Sequence, residues 1–412
     1  MKHWMSLALA LTVLSNAWSA GPIEENVIEE VLYYDFQEKI ESGKGFNHFL
    51  SFSPQEQTLF VDALWDLTEE GNSSALQFLD EMDPFHYELT DQLRVAILKM
   101  KYRQVSRLPG LLEAELLNVL LIPSVDTRLI YTIAAYEAEI LKAGHDEIIY
   151  RAKNHPEYFD IAAEEVKAEE VSTAMIADLF HHTPDVTTYM NGEYVKSIKL
   201  FMFCRDNRLY PCLMVMKDIH GEIVRNQDGS IWTNPALASS ARGIPSYSRN
   251  GNTPAGVLTI DSVMPAADQQ LSFGKFRRMI LNFIPKSKSE ALTKKLIPES
   301  SHQSDWWKPA VVARDIGRNL LRIHGTGKIN KDPSTPYFPF MRTSGCIAQR
   351  ENTYGNVTYK DQRELLDDVM RAMDMAPKYS NEVSIKGLLY IVDLDDENSP
   401  VTARDLALRG IE

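Results

Sequence analysis

Two short segments of the chain place a histidine and a cysteine in a pattern typical of nucleophilic catalysis. They are Arg322-Ile323-His324-Gly325-Thr326 and Thr343-Ser344-Gly345-Cys346-Ile347. The apolar residues at positions 320, 321 and 323 predict a buried strand that has His324 at its exposed end. Gly345 permits a sharp turn, so backbone amides beside Cys346 can face a developing oxyanion while the thiol meets an imidazole base. The two segments therefore predict a catalytic Cys346–His324 pair in a β-rich fold.

In this order the two segments resemble the catalytic domain of the YkuD-type L,D-transpeptidases. The usual pattern of that family is a His, a spacer and then Ser/Thr-His-Gly-Cys, in which Thr343, Gly345 and Cys346 take the matching places. An upstream segment, Asn252-Thr253-Pro254-Ala255-Gly256, resembles the Thr-Pro-x-Gly strand of the family. The resemblance covers residues 195–395, about half of the chain.

The chain departs from the family pattern at two positions. Ser344 stands where the family usually has a His, and Ala348 stands where an Arg is often found two residues after the cysteine. We expect these changes to affect substrate recognition more than the chemistry. Arg350 can supply the carboxylate contact that Ala348 has lost. The candidate substrate-binding residues are Thr326, Arg342, Thr343, Ser344 and Arg350.

The resemblance also implies a reaction. Cys346, with its proton accepted by His324, attacks an amide carbonyl, and backbone amides around Gly345 and Cys346 hold the oxyanion. The backbone carbonyl of Gly325 orients His324, as an aspartate does in serine triads. The bond attacked joins the L-centre of diaminopimelate to D-Ala in a tetrapeptide stem of peptidoglycan. The sequence leaves the acceptor open. The amine of a second stem gives a 3-3 cross-link, a D-amino acid exchanges the terminal residue, and a lipoprotein lysine is a further candidate. Transfer to water makes the enzyme an L,D-carboxypeptidase.

A second interpretation is that the β-rich half is a non-catalytic, wall-associated scaffold and the helical half binds a partner protein. A retired scaffold needs neither His324 nor Cys346, so the presence of both favours the enzyme. No cofactor or metal is predicted. His181 and His182 are neighbours that point to different sides of a helix, and the segment 145–147 lacks the His pair at i and i+4 of metalloprotease helices.

The N-terminus predicts export. Lys2 precedes an apolar run from Met5 to Val13, and small residues follow at positions 15, 17 and 20, which is the pattern of a secretory signal peptide at residues 1–20. The run is too short for a membrane span, and no later stretch reaches about 18 consecutive apolar residues. We expect a protein without a transmembrane span in the periplasm or cell wall of a bacterium.

Formal charge divides the chain near residue 190. Residues 21–190 hold 32 acidic and 12 basic side chains, a net charge of −20, whereas residues 191–412 hold 25 acidic and 30 basic side chains, a net charge of +5. A solvated helical surface is the ordinary explanation of the acidic half. The basic half suits an acidic polymer such as peptidoglycan, whose stem peptides carry free carboxylates. Nucleic acid binding is not expected, because the chain lacks a basic stripe interleaved with aromatic residues.

Hydrophobic periodicity predicts a multidomain α+β chain. An acidic all-α domain is expected at 21–190, an L,D-transpeptidase-like β-rich domain at 191–395 and a C-terminal tail at 396–412. One predicted helix starts with the capping box of Ser53 and Glu56, and another spans 126–144. Strands are predicted at 198–203, 213–216, 257–260, 279–284, 319–323 and 388–392, and a helix at 359–373.

Two features of the β-rich half leave alternatives open. Cys204 and Cys212 lie at the facing ends of two predicted strands, so the exported compartment favours a disulfide between them, with Cys346 as the remaining thiol. Three buried thiols are the alternative. The excursion at 265–315, which contains the pair Trp306-Trp307, is either a flap over the active site or an ordinary packed segment.

Overall fold

The computed structural model describes residues 22–43, 52–69, 71–82, 91, 95, 98–99, 102, 171–187, 192–241, 243, 246, 250–267, 270–284, 289–315 and 318–411 of the 412-residue chain. The predicted signal peptide at 1–20 and the helix predicted at 126–144 lie outside the described residues. The chain divides into two compact units, Met1–Glu165 and Val166–Glu412. Within the described ranges, no helix combines the length and the apolar character that crossing a lipid bilayer requires.

The described helices of the first unit are α1 (Pro22–Glu41), α2 (Pro54–Glu69) and α3 (Ser73–Glu81). The predicted capping box opens α2: the Ser53 amide donates to Glu56 Oε2 at 2.8 Å, and the Glu56 amide donates to Ser53 Oγ at 3.3 Å. The apolar face predicted for this helix is buried in the core of the unit, at Phe60, Ala63, Leu64 and Leu67. The sequence prediction for this helix is therefore confirmed.

The second unit is mostly sheet. Its strands are β1 (Ile198–Cys204), β2 (Cys212–Lys217), β3 (Thr233–Ala236), β4 (Gly256–Val263), β5 (Met279–Phe283), β6 (Arg322–His324), β7 (Ile347–Ala348), β8 (Glu351–Tyr354), β9 (Val357–Lys360) and β10 (Lys386–Asp393). Its helices in the described ranges are α4 (Thr173–His181), α5 (Gln270–Phe273), α6 (Ser289–Leu296), α7 (Lys308–Asp315), α8 (Asp361–Ala372) and α9 (Ala403–Ala407), with 3-10 turns at Glu299–Ser301 and Tyr379–Ser384. The mixed α+β class is confirmed, because helices come first and a sheet unit follows.

Eight strands form one sheet in the order β3-β2-β1-β10-β4-β5-β6-β7, and β8 pairs with β9 in a separate hairpin. Strand β1 runs parallel to β10 and β6 runs parallel to β7, while the other neighbours in the large sheet are antiparallel. Leu237, which directly follows β3, exchanges backbone hydrogen bonds of 3.0 and 2.8 Å with Ala348 of β7. This pairing joins the two ends of the sheet, so the sheet closes into a nearly complete barrel.

Alternate residues of β1 point into two different apolar clusters. Leu200 and Met202 belong to the cluster that α8 covers. Phe201 and Phe203 belong to the cluster that α4 and the C-terminal residues cover. Because both faces of the central strands are buried, these strands appear in the sequence as continuous apolar runs rather than as alternating patterns.

This packing decides one alternative from the sequence and part of another. Trp306 and Trp307 are 0 and 1 % exposed within the second cluster, so this part of the 265–315 excursion is a packed part of the unit. The disulfide predicted between Cys204 and Cys212 is present, and it joins the end of β1 to the start of β2.

Candidate active site

The short parallel strands β6 and β7 lie side by side, so the turn that carries Cys346 is next to the strand that ends at His324. Ile323 pairs with Ile347 and His324 pairs with Ala348, and both isoleucines belong to the same apolar cluster. Because side chains alternate across a strand, His324 lies on the face opposite to Ile323, and Cys346 belongs to the turn that directly precedes β7. A two-residue offset between neighbouring strands separates the Cα atoms of His324 and Cys346 by roughly 8 Å.

The ring of His324 is oriented by the next residue in the chain. Its Nδ1 lies 2.5 Å from the backbone carbonyl oxygen of Gly325, which is the contact that the family resemblance implies. A neutral imidazole that donates from Nδ1 has its acceptor at Nε2. The second nitrogen is therefore the one that can take a proton from a thiol.

The surroundings of His324 keep it neutral. Burial lowers the pKa of His324 to about 4, and the charges of Arg278 and Arg322 act in the same direction, whereas the hydrogen bond to Gly325 opposes them. At neutral pH the imidazole is therefore neutral, with one ring nitrogen available as an acceptor.

The prediction that His324 is exposed is wrong, because the side chain is only 2 % exposed. The segment around α5 covers it. The Phe273 ring packs edge-on against the imidazole with 5.0 Å between centroids, and the Gly327 amide donates to the carbonyl oxygens of Gln270 and Leu271 at 3.1 Å. The sequence around His324 does not indicate this burial, because the covering segment lies more than 50 residues earlier in the chain.

The turn that carries Cys346 requires a glycine before it. Gly345 has φ +102°, and a Cβ at this position would lie 2.6 Å from Arg318 Nη2 and 2.6 Å from the carbonyl oxygen of Gly251. Any larger residue would be strained and would collide with both groups. The half-buried Cys346 has its Sγ 3.7 Å from the carbonyl oxygen of Leu320.

Two threonine hydroxyls fix the peptide planes on either side of Cys346. Thr253 Oγ1 donates to the Gly345 carbonyl at 2.9 Å, and Thr343 Oγ1 donates to the Cys346 carbonyl at 2.7 Å. In a trans peptide the carbonyl and the N–H point in opposite directions. Holding the Gly345 carbonyl at Thr253 therefore turns the Cys346 N–H to the other side, as an oxyanion donor requires.

The predicted substrate-binding residues in the second motif lie in different environments. Ser344 is exposed, and Thr343 is committed to the Cys346 carbonyl. Arg342 is half-buried, with its guanidinium 5.3 Å from the centroid of the Tyr337 ring. Of these residues, Ser344 and Arg342 remain at the surface beside the cysteine turn.

The other two predicted substrate-binding residues contact the protein itself. Thr326 is buried and donates its hydroxyl to the carbonyl oxygen of Leu271 at 3.2 Å. Arg350 donates from Nε to Asp361 at 2.6 Å, and its guanidinium lies 4.3 Å from the centroid of the Tyr359 ring. The guanidinium of Arg350 thus already has a carboxylate partner.

Glu351 is a site neighbour that the sequence did not indicate. It is 3 % exposed, and its Oε1 accepts from the Lys275 amide at 2.7 Å, while Oε2 has no hydrogen-bond partner among the described residues. A Cβ added to Gly325 or to Gly274 would lie 1.8 or 1.9 Å from Oε2. Burial raises the pKa of Glu351. The carboxyl group therefore fills the space between the histidine turn and the segment that covers it.

In the described ranges, no group of three or more His, Cys, Asp and Glu side chains is arranged to hold a metal ion. Comparison of the chain with protein-family models, with curated proteins and with solved structures finds no match.

Proposed function

We propose that this protein is a cysteine L,D-transpeptidase that acts on the peptide stems of peptidoglycan. The observation that carries the proposal is the pairing of β6 with β7, in which the residue after Cys346 lies beside the residue before His324. The contact of Nδ1 with the Gly325 carbonyl supports Nε2 as the nitrogen that accepts the proton. The glycine turn held by Thr253 and Thr343 supports the role of oxyanion donor for the adjacent amide.

The reaction proceeds through a thioester. His324 Nε2 accepts the thiol proton, and Cys346 Sγ attacks the carbonyl carbon at the L-centre of diaminopimelate in the donor stem. The oxyanion faces the amide of Cys346. When the tetrahedral intermediate collapses, the C–N bond breaks and D-Ala leaves with the proton from the imidazolium. The amine of an acceptor stem then attacks the thioester, transfers its proton to His324 and releases the thiol as the 3-3 cross-link forms.

Two further observations agree with an exported enzyme of this kind. The disulfide between Cys204 and Cys212 is of a type that persists in oxidising compartments such as the bacterial periplasm. The net charge of +5 over residues 191–412 suits a polymer with free carboxylates. We therefore propose that the protein is located in the periplasm or cell wall. We also propose that the acidic helical half binds a partner protein.

The proposal is tested with the purified protein and soluble disaccharide-tetrapeptides, with products identified by mass spectrometry. The wild type is expected to release D-Ala and to form a 3-3 cross-linked dimer. Cys346→Ala and His324→Ala are each expected to lower turnover by at least about 10³-fold, because thiol and base act as one unit. His220→Ala is the matched control, since this histidine is 65 % exposed and pairs with Asp374 instead.

The products separate the alternatives. A tripeptide without dimer identifies water as the acceptor and an L,D-carboxypeptidase as the activity. Acylation by a carbapenem, read as a mass increase in the wild type and not in Cys346→Ala, reports the nucleophile without a natural substrate. Wild-type protein that neither turns over nor acylates would overturn the proposal and leave the scaffold interpretation.

A further inference from the structure

Glu351 presents a buried carboxyl group to the turn that follows His324. It is the first residue of β8 and is 3 % exposed. A Cβ added to Gly325 or to Gly274 would collide with its Oε2, so the group occupies a narrow slot between the backbones of two glycines. A planar group is thinner than a tetrahedral one, and a carboxyl or amide group therefore fits this slot better than an aliphatic group does.

Two hydrogen bonds fix the turn on either side of Gly325. The Gln349 amide donates to the His324 carbonyl at 2.8 Å, and Asn352 Nδ2 donates to the Thr326 carbonyl at 2.7 Å. Between these two anchored carbonyls stands a glycine, which has more backbone freedom than any other residue. The carboxyl group packed against its Cα restricts that freedom.

The orientation of Gly325 decides which nitrogen of His324 carries the proton. The Gly325 carbonyl oxygen is an acceptor 2.5 Å from Nδ1, so Nδ1 donates and Nε2 is left as the acceptor. If this carbonyl rotates away, the tautomer with its proton on Nε2 becomes accessible, and in that tautomer Nε2 cannot accept a proton from a thiol. The position of one glycine therefore controls the base.

The carboxyl group of Glu351 is itself held in place. Its Oε1 accepts from the Lys275 amide at 2.7 Å, whereas Oε2 has no hydrogen-bond partner among the described residues. Burying a carboxyl oxygen without a partner costs free energy, and a group buried at such a cost needs an explanation. Its contact with the turn that orients His324 supplies one.

We propose that Glu351 is a positioning residue for His324, because its buried carboxyl group holds the Gly325 carbonyl against Nδ1 and thereby keeps Nε2 as the proton acceptor. The inference rests on the proposed function for the use of His324 as the base. It gives β8 a part in the site that neither sequence motif indicates.

The test reads the tautomer of His324 directly and needs no substrate. The full chain is labelled with nitrogen-15, and its imidazole signals are recorded by NMR at pH 7, where His324 is neutral. The chain has 10 histidines, so His324→Gln identifies the relevant signals by their loss. Glu351→Ala removes the carboxyl group, and Glu351→Gln keeps a planar group of the same size. Glu364→Ala is the matched control, because Glu364 lies exposed on α8.

The wild type, Glu351→Gln and Glu364→Ala are expected to show one tautomer, with the proton on Nδ1. In Glu351→Ala the two nitrogen signals of His324 should move towards each other, because both tautomers are then populated. Transpeptidation kcat should fall about tenfold in Glu351→Ala, with KM changed by less than about twofold, because part of the base is lost and the substrate contacts are not. Glu351→Gln should restore kcat to within about threefold of the wild type.

Wild-type nitrogen signals in Glu351→Ala, even with a lower melting temperature, would overturn the inference, as would a wild-type chain without a proton on Nδ1. Mixed tautomers in Glu351→Gln would overturn the role of the planar group. If Glu351→Ala does not fold, Glu351→Asp takes its place, since it withdraws the carboxyl group from Gly325 by one methylene. Unchanged signals and kcat in Glu351→Asp would then overturn the inference.

Failure of the proposed function gives a different result. A protein that forms no cross-link in any assay, and yet shows mixed tautomers in Glu351→Ala, refutes the transpeptidase and retains Glu351 as the residue that orients the histidine.

Discussion

Replacing Gly325 with alanine isolates the packing between the histidine turn and Glu351. The backbone of Gly325 lies outside the left-handed region, so alanine is compatible with its φ. The obstacle is steric: the new Cβ would lie 1.8 Å from Glu351 Oε2 and 2.8 Å from its Cδ. Glu351 cannot swing away freely, because it is buried, its Oε1 accepts from the Lys275 amide, and Gly274 also packs against its Oε2.

The expected cost follows from these contacts. Overpacking a buried site costs about 1–3 kcal/mol, and loss of the hydrogen bond from Lys275 adds about 1 kcal/mol. Gly325→Ala should therefore lower the free energy of unfolding by about 2–4 kcal/mol. The Gly325 carbonyl also moves, so the orientation of His324 is lost and turnover should fall.

Urea unfolding of the full chain, followed by tryptophan fluorescence, measures the change, and Trp306 and Trp307 are buried in the same unit as Gly325. Glu351→Ala in the same chain removes Oε2 and Cδ and leaves the Glu351 Cβ at 3.1 Å from the new Cβ, so the double variant should lie within about 1 kcal/mol of Glu351→Ala alone. Gly221→Ala is the control for backbone strain without a clash, because Gly221 has φ +83° and nothing lies within 4 Å of its Cβ position. Gly325→Ala with wild-type stability, or a double variant without rescue, would refute the packing argument.

Three further outcomes are expected. Alkylation under denaturing, non-reducing conditions should modify one thiol per chain, because Cys204 and Cys212 are bonded, and three modified thiols would contradict the disulfide. The pKa of His324 is about 4 in the folded protein against an ordinary 6.5, so the native state binds fewer protons than the unfolded state. The stability that the neutral His324 contributes is therefore lost as the pH falls from 6.5 towards 4. The difference in unfolding free energy between wild type and His324→Gln should change by about 2 kcal/mol between pH 8 and pH 5, and a constant difference would contradict the low pKa. Thr253→Val should lower turnover by about tenfold, because the hydroxyl that binds the Gly345 carbonyl is lost. Thr253→Ser keeps the hydroxyl and should keep the turnover of the wild type. Equal turnover in the two variants would contradict the role of the hydroxyl.

The fold was predictable where the pattern is long and local. The helix α2 carries its own capping box and a four-residue apolar face, and both are present. The central strands β1 and β10 are continuous apolar runs because both of their faces are buried. Strand β7 has only two residues, so it has no period to detect. It forms because Ala348 pairs with Leu237 when the barrel closes.

The residues of the candidate site likewise differ in whether the local sequence indicates them. His324 and Cys346 are marked by the glycines next to them, since a turn and a close approach restrict the sequence at these positions. Glu351 and Arg318 carry no such mark. The guanidinium of Arg318 meets Gly251, which is 67 residues earlier in the chain, and Glu351 meets the Lys275 amide, which is 76 residues earlier. Contacts of this range depend on how the barrel closes.

The closure of the barrel also explains how a two-residue strand can hold a nucleophile in place. Strand β7 is paired with β6 on one side and with Leu237 on the other, and the bridge between Ser240 and Thr343 extends this second pairing to the start of the cysteine turn. Hydrogen bonds of about 1 kcal/mol each therefore reach the turn from separate strands, so no single one of them decides its conformation. Thr253 binds the Gly345 carbonyl oxygen, and Arg318 occupies the space beside the Gly345 Cα. Their loss should therefore reduce reactivity more than it reduces stability.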